Sequence, residues 1–388
     1  AVDPAVRDRL RAAWQVLAVA DGDRRAAIDT VLGHPYLRVW AVRCLERLGQ
    51  AGSAEHHDDE GLAADLEHLG AVAAAVAIRG QARALVTVPL VEGAVHLPGL
   101  GRLVVAPGDA AQAVLEVDAD WVRVRLGTDT WRLSRPRMLA GGALTAEPCQ
   151  AEGALGPADS GLKPAWEPVR VLTGPGIRVA LEDTDPYRDC HQWPAAPRLT
   201  DEAFAEWQDG FALAWREIQT HHPAYAPALT AGLTTLMPMA AADGSDLSAA
   251  ARHGFGAIGV ALPGDPVTLA LLLMHEFQHV KLGAVLDLYD LFDPADKRLY
   301  HAPWRKDPRP LEGLLQGTYA HLAVSEFWRV RAELGDHDQA EAAERYEHLR
   351  AHTAAAVETL VNSGSLTPLG MQFASGMRIA IAAHGSRP

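Results

Sequence analysis

Cysteine is scarce in this chain of 388 residues. Its three cysteines, Cys44, Cys149 and Cys190, lie far apart, and no two of them form a C-x-x-C pair. This scarcity argues against a disulfide framework and against a metal held by thiolates, and it is typical of a reducing compartment. We therefore expect a cytoplasmic protein in which any metal is held by other side chains.

Positive charge is also in short supply, because 35 lysines and arginines stand against 49 aspartates and glutamates, a formal charge of −14. A chain this acidic has no overall attraction to nucleic acid or to an anionic membrane. It contains no long apolar run free of charges, so we expect no membrane span. Residues 1–23 lack a basic segment followed by an apolar one, so we expect no signal peptide.

Three common catalytic motifs are missing as well. The sequence contains no G-x-S-x-G, no phosphate-binding P-loop and no G-x-G-x-x-G that opens a helix after a strand. Serine hydrolase, NTPase and dinucleotide-binding functions therefore lack support.

Hydrophobic periodicity divides the chain into a helical start, a β-rich middle and a helical end. Apolar spacing predicts two helices over 4–50, and short valine-rich segments predict antiparallel strands over about 71–182, beginning with AVAAAVAIRG at 71–80. We expect an α+β protein. Its predicted parts are an N-terminal helical region (1–70), a β-rich region (71–198) and a helical, metal-binding domain (199–388).

The stretch LLLMHEFQHVKLGAVLDL, residues 271–288, carries the motif H-E-x-x-H. Positions i and i+4 share one face of a helix, so His275 and His279 can bind one metal ion. Glu276 lies about 100° away around the helix axis and can reach a water on that ion. Two imidazoles beside a carboxylate suit Zn²⁺ or Fe²⁺. Burying these groups in an apolar helix without a role would be unfavourable, which favours a metal site over a chance match.

The surroundings of the motif predict a zincin-like core. Asp265 is placed to cap the helix, with Pro266 at its first position. A strand, GAIGVAL at 256–262, precedes the helix, as in zincins, where a sheet edge can hold an extended peptide.

A third ligand is expected from the next predicted helix, residues 311–334. It offers His321 and Glu326, which point about 140° apart and cannot both serve. We favour His321, because the small residues Gly317 and Thr318 stand one turn before it. Glu326 is the alternative, and a protease of the gluzincin type would use it.

The segment LYHAPWRKDPRP, residues 299–310, is unusually basic for an acidic protein. If the two helices meet at the metal, this segment lies beside it. Arg305 and Arg309 could then bind a small carboxylate co-substrate such as 2-oxoglutarate, and Trp304 could contact a substrate. A solvated basic turn is the alternative.

A second polar segment, EDTDPYRDCHQW at 182–193, could line a substrate channel through Tyr187 and Arg188. It could equally be a polar linker.

Most of the chain, from about 30 to 378, resembles the "HEXXH motif domain" proteins of bacterial peptide-modification gene clusters. The most specific part covers 270–330, since the five-residue motif alone is shared with many metalloproteases. The stretches that carry the resemblance are VLGHPYLRVW, DTDPYR, HEFQHVKLGAVLDL, WRKDPRPLEGLLQGTYAHLAVSEFW and LTPLGMQF.

The resemblance implies an iron(II)- and 2-oxoglutarate-dependent hydroxylase that acts on the β-carbon of residues in ribosomally made precursor peptides. It implies that His275, His279 and His321 hold the iron and that Arg309 or Arg305 binds 2-oxoglutarate. The alternative is a zinc metallopeptidase in which Glu276 is the general base. A non-enzymatic peptide-binding protein is a third hypothesis.

Overall fold

The structure is a computed structural model that describes residues 3–50, 59–105, 111–141, 144–149, 163–240, 246–335 and 339–384. Over these residues the chain forms eleven helices and four small sheets and is 54% helical. It divides into two compact units, Ala1–Val171 with Ala180–Cys190 and Leu172–Val179 with His191–Pro388. The predicted α+β class is confirmed.

Four helices open the first unit. The side chain of Asp3 caps the first of them by accepting a hydrogen bond from the amide of Ala5. Residues 4–50 form three helices instead of the predicted two, because the chain leaves helical geometry at Arg24 and again after Gly33. The helices are α1 (Pro4–Asp23), α2 (Arg25–Leu32), α3 (Pro35–Gln50) and α4 (Asp59–Gly80).

Two antiparallel sheets complete the first unit, with strand orders β1-β4-β5-β6-β8 and β2-β3-β9-β7. Alternate residues face the core, as the period-two pattern predicts. The strands are β1 (Ala84–Pro89), β2 (Ala94–Leu97), β3 (Gly101–Val104), β4 (Gln112–Val117), β5 (Trp121–Leu126), β6 (Asp129–Ser134), β7 (Leu144–Thr145), β8 (Glu147–Pro148) and β9 (Ala165–Pro168), with the short helix α5 (Arg135–Leu139) after β6.

The strand predicted at 71–80 is wrong, because these residues form the second half of α4. Residues 71–78 are almost completely buried, so the helix is apolar all round and shows no amphipathic period. Alanine, which dominates the segment, has the highest helix propensity. Gly70 lets α4 lie directly on β1, since a Cβ there would collide with the carbonyl oxygen of Thr87.

One hydrophobic core joins the N-terminal helices to the β region. It contains Ala20 of α1, Val31 of α2, residues 71–78 of α4 and the inward side chains of both sheets, such as Leu115 and Trp166. The predicted regions 1–70 and 71–198 therefore contribute to a common core within the first unit.

The second unit is mostly helical around a small sheet of order β10-β11-β12-β14-β13. Within it β14 is parallel to β12 and antiparallel to the edge strand β13. The elements are β10 (Arg170–Gly174) and β11 (Ile177–Leu181), whose residues 172–179 belong to this unit, then α6 (Asp201–His221), α7 (Ala226–Gly232), β12 (Thr235–Pro238), β13 (Ser248–Ala250), β14 (Ala257–Val260), α8 (Pro266–Leu288), β15 (Leu299–Tyr300), β16 (Arg309–Pro310), α9 (Leu311–Leu334), α10 (Gln339–Val361) and α11 (Pro368–His384).

The predicted limits of the two site helices are confirmed. The carboxylate of Asp265 accepts hydrogen bonds from the amides of Val267 and Thr268, each 3.1 Å long, and begins α8. Helix α9 follows Pro310 and ends at Gly335, whose φ of 72° is left-handed and suits glycine.

Two helices, Gly61–Gly80 and Pro266–Leu288, are long and apolar enough to cross a membrane by length and composition. The structure buries 72% and 56% of their apolar windows within the protein, which is typical of the core helices of a folded unit.

Candidate metal centre

Helix α8 carries a group of side chains that can hold a metal ion, namely His275, Glu276 and His279. One donor atom from each lies within 4.8 Å of the other two. The two imidazole rings are 5.0 Å apart between centroids, as expected for positions i and i+4. The opposite side of the helix packs into the core through Leu273, Met274 and other apolar residues.

Helix α9 brings His321 to the same place. Gly313, Gly317 and His321 are spaced four residues apart and line one cavity together with His275 and His279. The ring of His321 lies 5.8 Å from that of His275 between centroids.

The known ring distances are close to those of imidazoles that share one metal ion. Imidazole nitrogens bind zinc at about 2.0–2.1 Å, which places the centroids of two such rings about 4.5–5 Å apart. The pair His275 and His279 meets that spacing at 5.0 Å. The 5.8 Å between His275 and His321 exceeds it by less than about 1 Å. His321 is not part of the tight group on α8, in which Glu276 is the third donor.

Hydrogen bonds orient two of the three imidazoles. Nδ1 of His279 donates to Oε1 of Gln316 at 3.2 Å, and Nδ1 of His321 donates to the carbonyl oxygen of Gly317 at 2.8 Å. In each ring this leaves Nε2 as the nitrogen that can bind a metal, which is the usual arrangement of metal-binding histidines.

Burial keeps two of the imidazoles neutral. It lowers the pKa of His275 to about 3, with help from neighbouring His279. It also lowers the pKa of His321 to about 4, although the hydrogen bond to the Gly317 carbonyl acts in the opposite direction. Only a neutral imidazole binds a metal, so both rings are ready to bind at neutral pH.

Trp304 covers His321. The indole and imidazole rings are stacked, with centroids 4.0 Å apart and an angle of 17° between the planes. Gly317 makes room for this contact, since a Cβ there would lie 2.7 Å from the indole. Thr318 has a different role, because it is fully buried and its hydroxyl donates to the carbonyl of Leu314.

Glu276 is held on another side of α8. Its Oε1 accepts a hydrogen bond of 2.7 Å from the hydroxyl of Ser248 on the edge strand β13, and the side chain is buried. It lies 3.8 Å from Nε2 of His275, beyond hydrogen-bonding distance. Among the described residues, those that line the cavity include His275 and His279 but not Glu276.

Glu326, the alternative third ligand, is held by an arginine. Nε and Nη2 of Arg329 donate to its two carboxylate oxygens at 2.8 and 2.7 Å. Because both carboxylate oxygens accept strong hydrogen bonds from this arginine, Glu326 is poorly placed to bind a metal. Glu326 is also absent from the described residues that line the cavity, which include His321.

The basic segment 299–310 contributes to the same cavity as the three histidines. The cavity has a volume of about 680 Å³, and its lining includes Trp304, Arg305, Lys306, Asp307 and Arg309 as well as the three histidines. The segment is closed at its base by the antiparallel pair β15 and β16, in which Leu299 pairs with Pro310 and Tyr300 with Arg309.

The two arginines share a carboxylate within the segment. Nε and Nη2 of Arg305 donate to Oδ1 and Oδ2 of Asp307, each at 3.2 Å, and Nε of Arg309 lies 3.2 Å from Oδ2. The hydrogen bond from Arg305 holds the pKa of Asp307 below its ordinary value. Asp307 therefore stays ionised between the two guanidinium groups.

Tyr187 and Arg188 belong to the first unit. The hydroxyl of Tyr187 donates to Oδ1 of Asp65 at 3.0 Å, and Arg188 donates to the carbonyl of Asp185 at 2.8 Å. Neither is among the described residues that line the cavity, so their proposed contact with substrate stays a prediction.

Sequence reasoning missed Ser248, Gln316 and Asp307. The spacing of Gly313, Gly317 and His321 marks the cavity face of α9 and could have been recognised, which would have placed Gln316 beside it. Ser248 gave no signal, because it lies 28 residues from Glu276.

Comparisons with known proteins identify no relative of this chain. No protein-family model matches the chain, and no curated protein resembles it at a significant level. What is established is a His-Glu-x-x-His group capable of holding a metal on a buried helix.

Proposed function

We propose that this protein is an iron(II)- and 2-oxoglutarate-dependent hydroxylase that acts on a carbon, at the β position, of a residue in a ribosomally made peptide. The observation that carries the proposal is the lining of a single cavity of about 680 Å³ by three histidines and two arginines. The resemblance of residues 270–330 to peptide-modifying proteins supports the choice of a peptide.

The donor set fits iron(II). Neutral imidazoles suit iron and zinc alike, and His275, His279 and His321 would hold the ion through Nε2. When bound, iron supplies the activation of O₂ by which 2-oxoglutarate becomes succinate and CO₂ and a C–H bond becomes C–OH. One oxygen atom goes to the peptide and the other to succinate, so atoms and electrons balance.

The arginines supply the second half of the site. A guanidinium binds a carboxylate through two parallel hydrogen bonds, and Arg305 already does so with Asp307. Arg305 or Arg309 would bind the distal carboxylate of 2-oxoglutarate, and the histidines mark where its other end lies.

Other residues orient the imidazole rings and keep water away from them. Gln316 and the carbonyl of Gly317 fix the ring positions of His279 and His321, while Trp304 shields one face of His321 from water. Ser248 donates a hydrogen bond to Glu276, and in the hydroxylase this carboxylate would act as a positioning group for α8 and not as a base.

The edge strand β13 is the proposed place for the peptide. It is the last strand of its sheet and antiparallel to β14, and Ser248 connects it to Glu276 beside the histidines. An extended peptide pairs readily with such an edge. The sequence prediction assigned this role to GAIGVAL, but β14 lies between β12 and β13 and its two edges are taken. The proposal needs no nucleic acid and no membrane, and it places the reaction in the cytoplasm, where precursor peptides are made.

Mass spectrometry tests the proposal. The protein is loaded anaerobically with Fe²⁺ and 2-oxoglutarate, and oxygen is then admitted with a precursor peptide encoded beside it. We expect a gain of about 16 Da on the peptide and one succinate for each hydroxyl group, in keeping with oxygenase chemistry on a metal. Shortened peptides that form with Zn²⁺ and without 2-oxoglutarate would refute the hydroxylase.

A zinc metallopeptidase is the second candidate. It is favoured by the closeness of Glu276 to the donor atoms of His275 and His279, all within 4.8 Å. In that enzyme Glu276 would act as the general base, so Glu276→Gln would abolish peptide cleavage. In the hydroxylase the same change would leave a measurable yield of hydroxylated peptide.

A further inference from the structure

The carboxylate of Asp307 contacts Arg305 and Arg309, the two residues that the proposed function assigns to the distal carboxylate of 2-oxoglutarate. Its Oδ1 and Oδ2 face Nε and Nη2 of Arg305 at 3.2 Å, and its Oδ2 also lies 3.2 Å from Nε of Arg309. Parallel contacts of this kind are what a guanidinium makes with a bound carboxylate ligand.

We propose that Asp307 is an internal occupant of the anion site, which an incoming dicarboxylate must displace from Arg305 and Arg309. The inference rests on the proposed function in one respect, namely that the incoming ligand is a dicarboxylate such as 2-oxoglutarate.

The segment is built so that the arginines stay while Asp307 leaves. The β15–β16 pair fixes Arg309 directly, since Arg309 pairs with Tyr300 in the ladder. The amide of Arg305 donates to the carbonyl of Ala302 at 2.9 Å, which fixes a turn on the other side. Asp307 has neither constraint and lies between them, with 60% of its side chain exposed.

The contacts of Asp307 are weak enough to be broken by a ligand. Exposed ion pairs are screened by water and stabilise a protein little, so releasing this carboxylate has a small penalty. Asp307 is tethered beside the arginines, so it competes with an incoming carboxylate at every ligand concentration. It therefore raises the Kd for a dicarboxylate by a constant factor.

A second interpretation makes the opposite prediction. Asp307 could serve to hold Arg305 and Arg309 in position for the ligand. Removing its charge would then loosen both guanidinium groups and weaken binding. The sign of the effect of Asp307→Asn therefore decides between the two.

Calorimetric titration of the metal-free protein is the test, because it needs no turnover. The probes are 2-oxoglutarate and glutarate, which lacks the keto group that could bind a metal. We expect Asp307→Asn to lower the Kd for both about fivefold, the factor to which a surface ion pair of about 1 kcal/mol corresponds. Asp290→Asn, which removes an exposed charge that does not line the cavity, should leave Kd within about twofold.

The remaining variants separate the two ways to fail. Arg305→Gln and Arg309→Gln should each weaken both probes in the Asp307→Asn background. If the arginine variants weaken binding but Asp307→Asn leaves Kd unchanged or higher, the internal occupant is refuted and the dicarboxylate site stands. If 2-oxoglutarate binds neither the wild type nor Asp307→Asn, even after both have been loaded with Zn²⁺, the proposed co-substrate itself is refuted.

Discussion

A cluster of histidines and carboxylates in the first unit and another in the second differ in what surrounds them. In the first unit Nε2 of His34 lies 3.4 Å from Glu182 and its Nδ1 lies 3.7 Å from Asp185, and all three side chains are buried. In the second unit His275, His279 and His321 border an open cavity.

The first cluster is closed by its own partners. Oε1 of Glu182 accepts hydrogen bonds from the amide and hydroxyl of Thr184 and from the amide of Asp185. Burial alone would lower the pKa of His34, but the hydrogen bond to Glu182 and the charge of Asp185 outweigh it and raise that pKa. Protonation of His34 is therefore favoured relative to a free imidazole, and a protonated ring does not bind metals.

The second cluster has the opposite electrostatics. Burial lowers the pKa of His275 and His321 with no carboxylate strong enough to reverse it, and their neutral rings border open space. The same residue types thus form an internally paired cluster where protein groups surround them and a group capable of holding a metal where they border a cavity. The comparison can be tested by changing one histidine of each kind.

The largest expected effect separates the two clusters directly. His279→Ala should lower the affinity for Fe²⁺ or Zn²⁺ by at least about 100-fold, since loss of a mere partner of a metal ligand already lowers it about 10–100-fold. His34→Gln should keep the metal affinity and lower the free energy of unfolding by about 1–3 kcal/mol, because it leaves a buried carboxylate short of a partner. Metal content after loading and chemical denaturation measure the two effects. Loss of metal binding in His34→Gln would contradict the assignment of metal binding to the second cluster.

The next effect concerns the third ligand. His321 lies outside the tight group on α8, so His321→Ala should weaken metal binding less than His279→Ala does, by about 10–100-fold, whereas Glu326→Gln should leave it within about threefold. Competition with a coloured chelator measures both. Unchanged binding in His321→Ala would point to Glu276 as the third ligand, as the tight group on α8 allows.

The smallest effect concerns His68, another buried histidine of the first unit, and appears in the pH dependence of stability. Burial lowers the pKa of His68 to about 3, with His96 and His34 contributing. Below about pH 6.5 the unfolded chain therefore binds a proton that the folded chain does not, so folding loses stability as pH falls. The loss from this group amounts to about 2 kcal/mol between about pH 7 and about pH 5.

The variant His68→Leu should remove that part of the acid sensitivity. Denaturation curves at the two pH values measure it, and the exposed His348→Leu controls for loss of a histidine as such. Equal pH slopes in the wild type and His68→Leu would contradict the prediction.

Local signals in the sequence predicted the parts of the site that lie on single helices. Asp265 before Pro266 placed the start of α8, and the i, i+4 spacing placed His275 and His279 on one face. Gly335 placed the end of α9. These features depend on neighbours within a few residues, and capping and helical periodicity are rules of that range.

Other features depend on distant contacts and could not be predicted. The prediction of a strand at 71–80 was wrong because a helix that is buried on all sides has no helical period in its hydrophobic residues. Ser248 contacts Glu276 only because β13 is the sheet edge beside α8. The position of Asp307 between two arginines depends on the β15–β16 pair. Each of these strands has only two residues, which is too short for a recognisable sequence pattern.

The histidines of the metal centre come from two helices, two from α8 and one from α9. An ion bound by all three would therefore act as a cross-link between segments that are 42 positions apart at their nearest ligands, His279 and His321 (321 − 279). A ligand bound only by the folded state stabilises it in proportion to the logarithm of its concentration, about 2.7 kcal/mol at 100 times Kd. The supply of that metal in the cell would then influence the folding stability of the second unit.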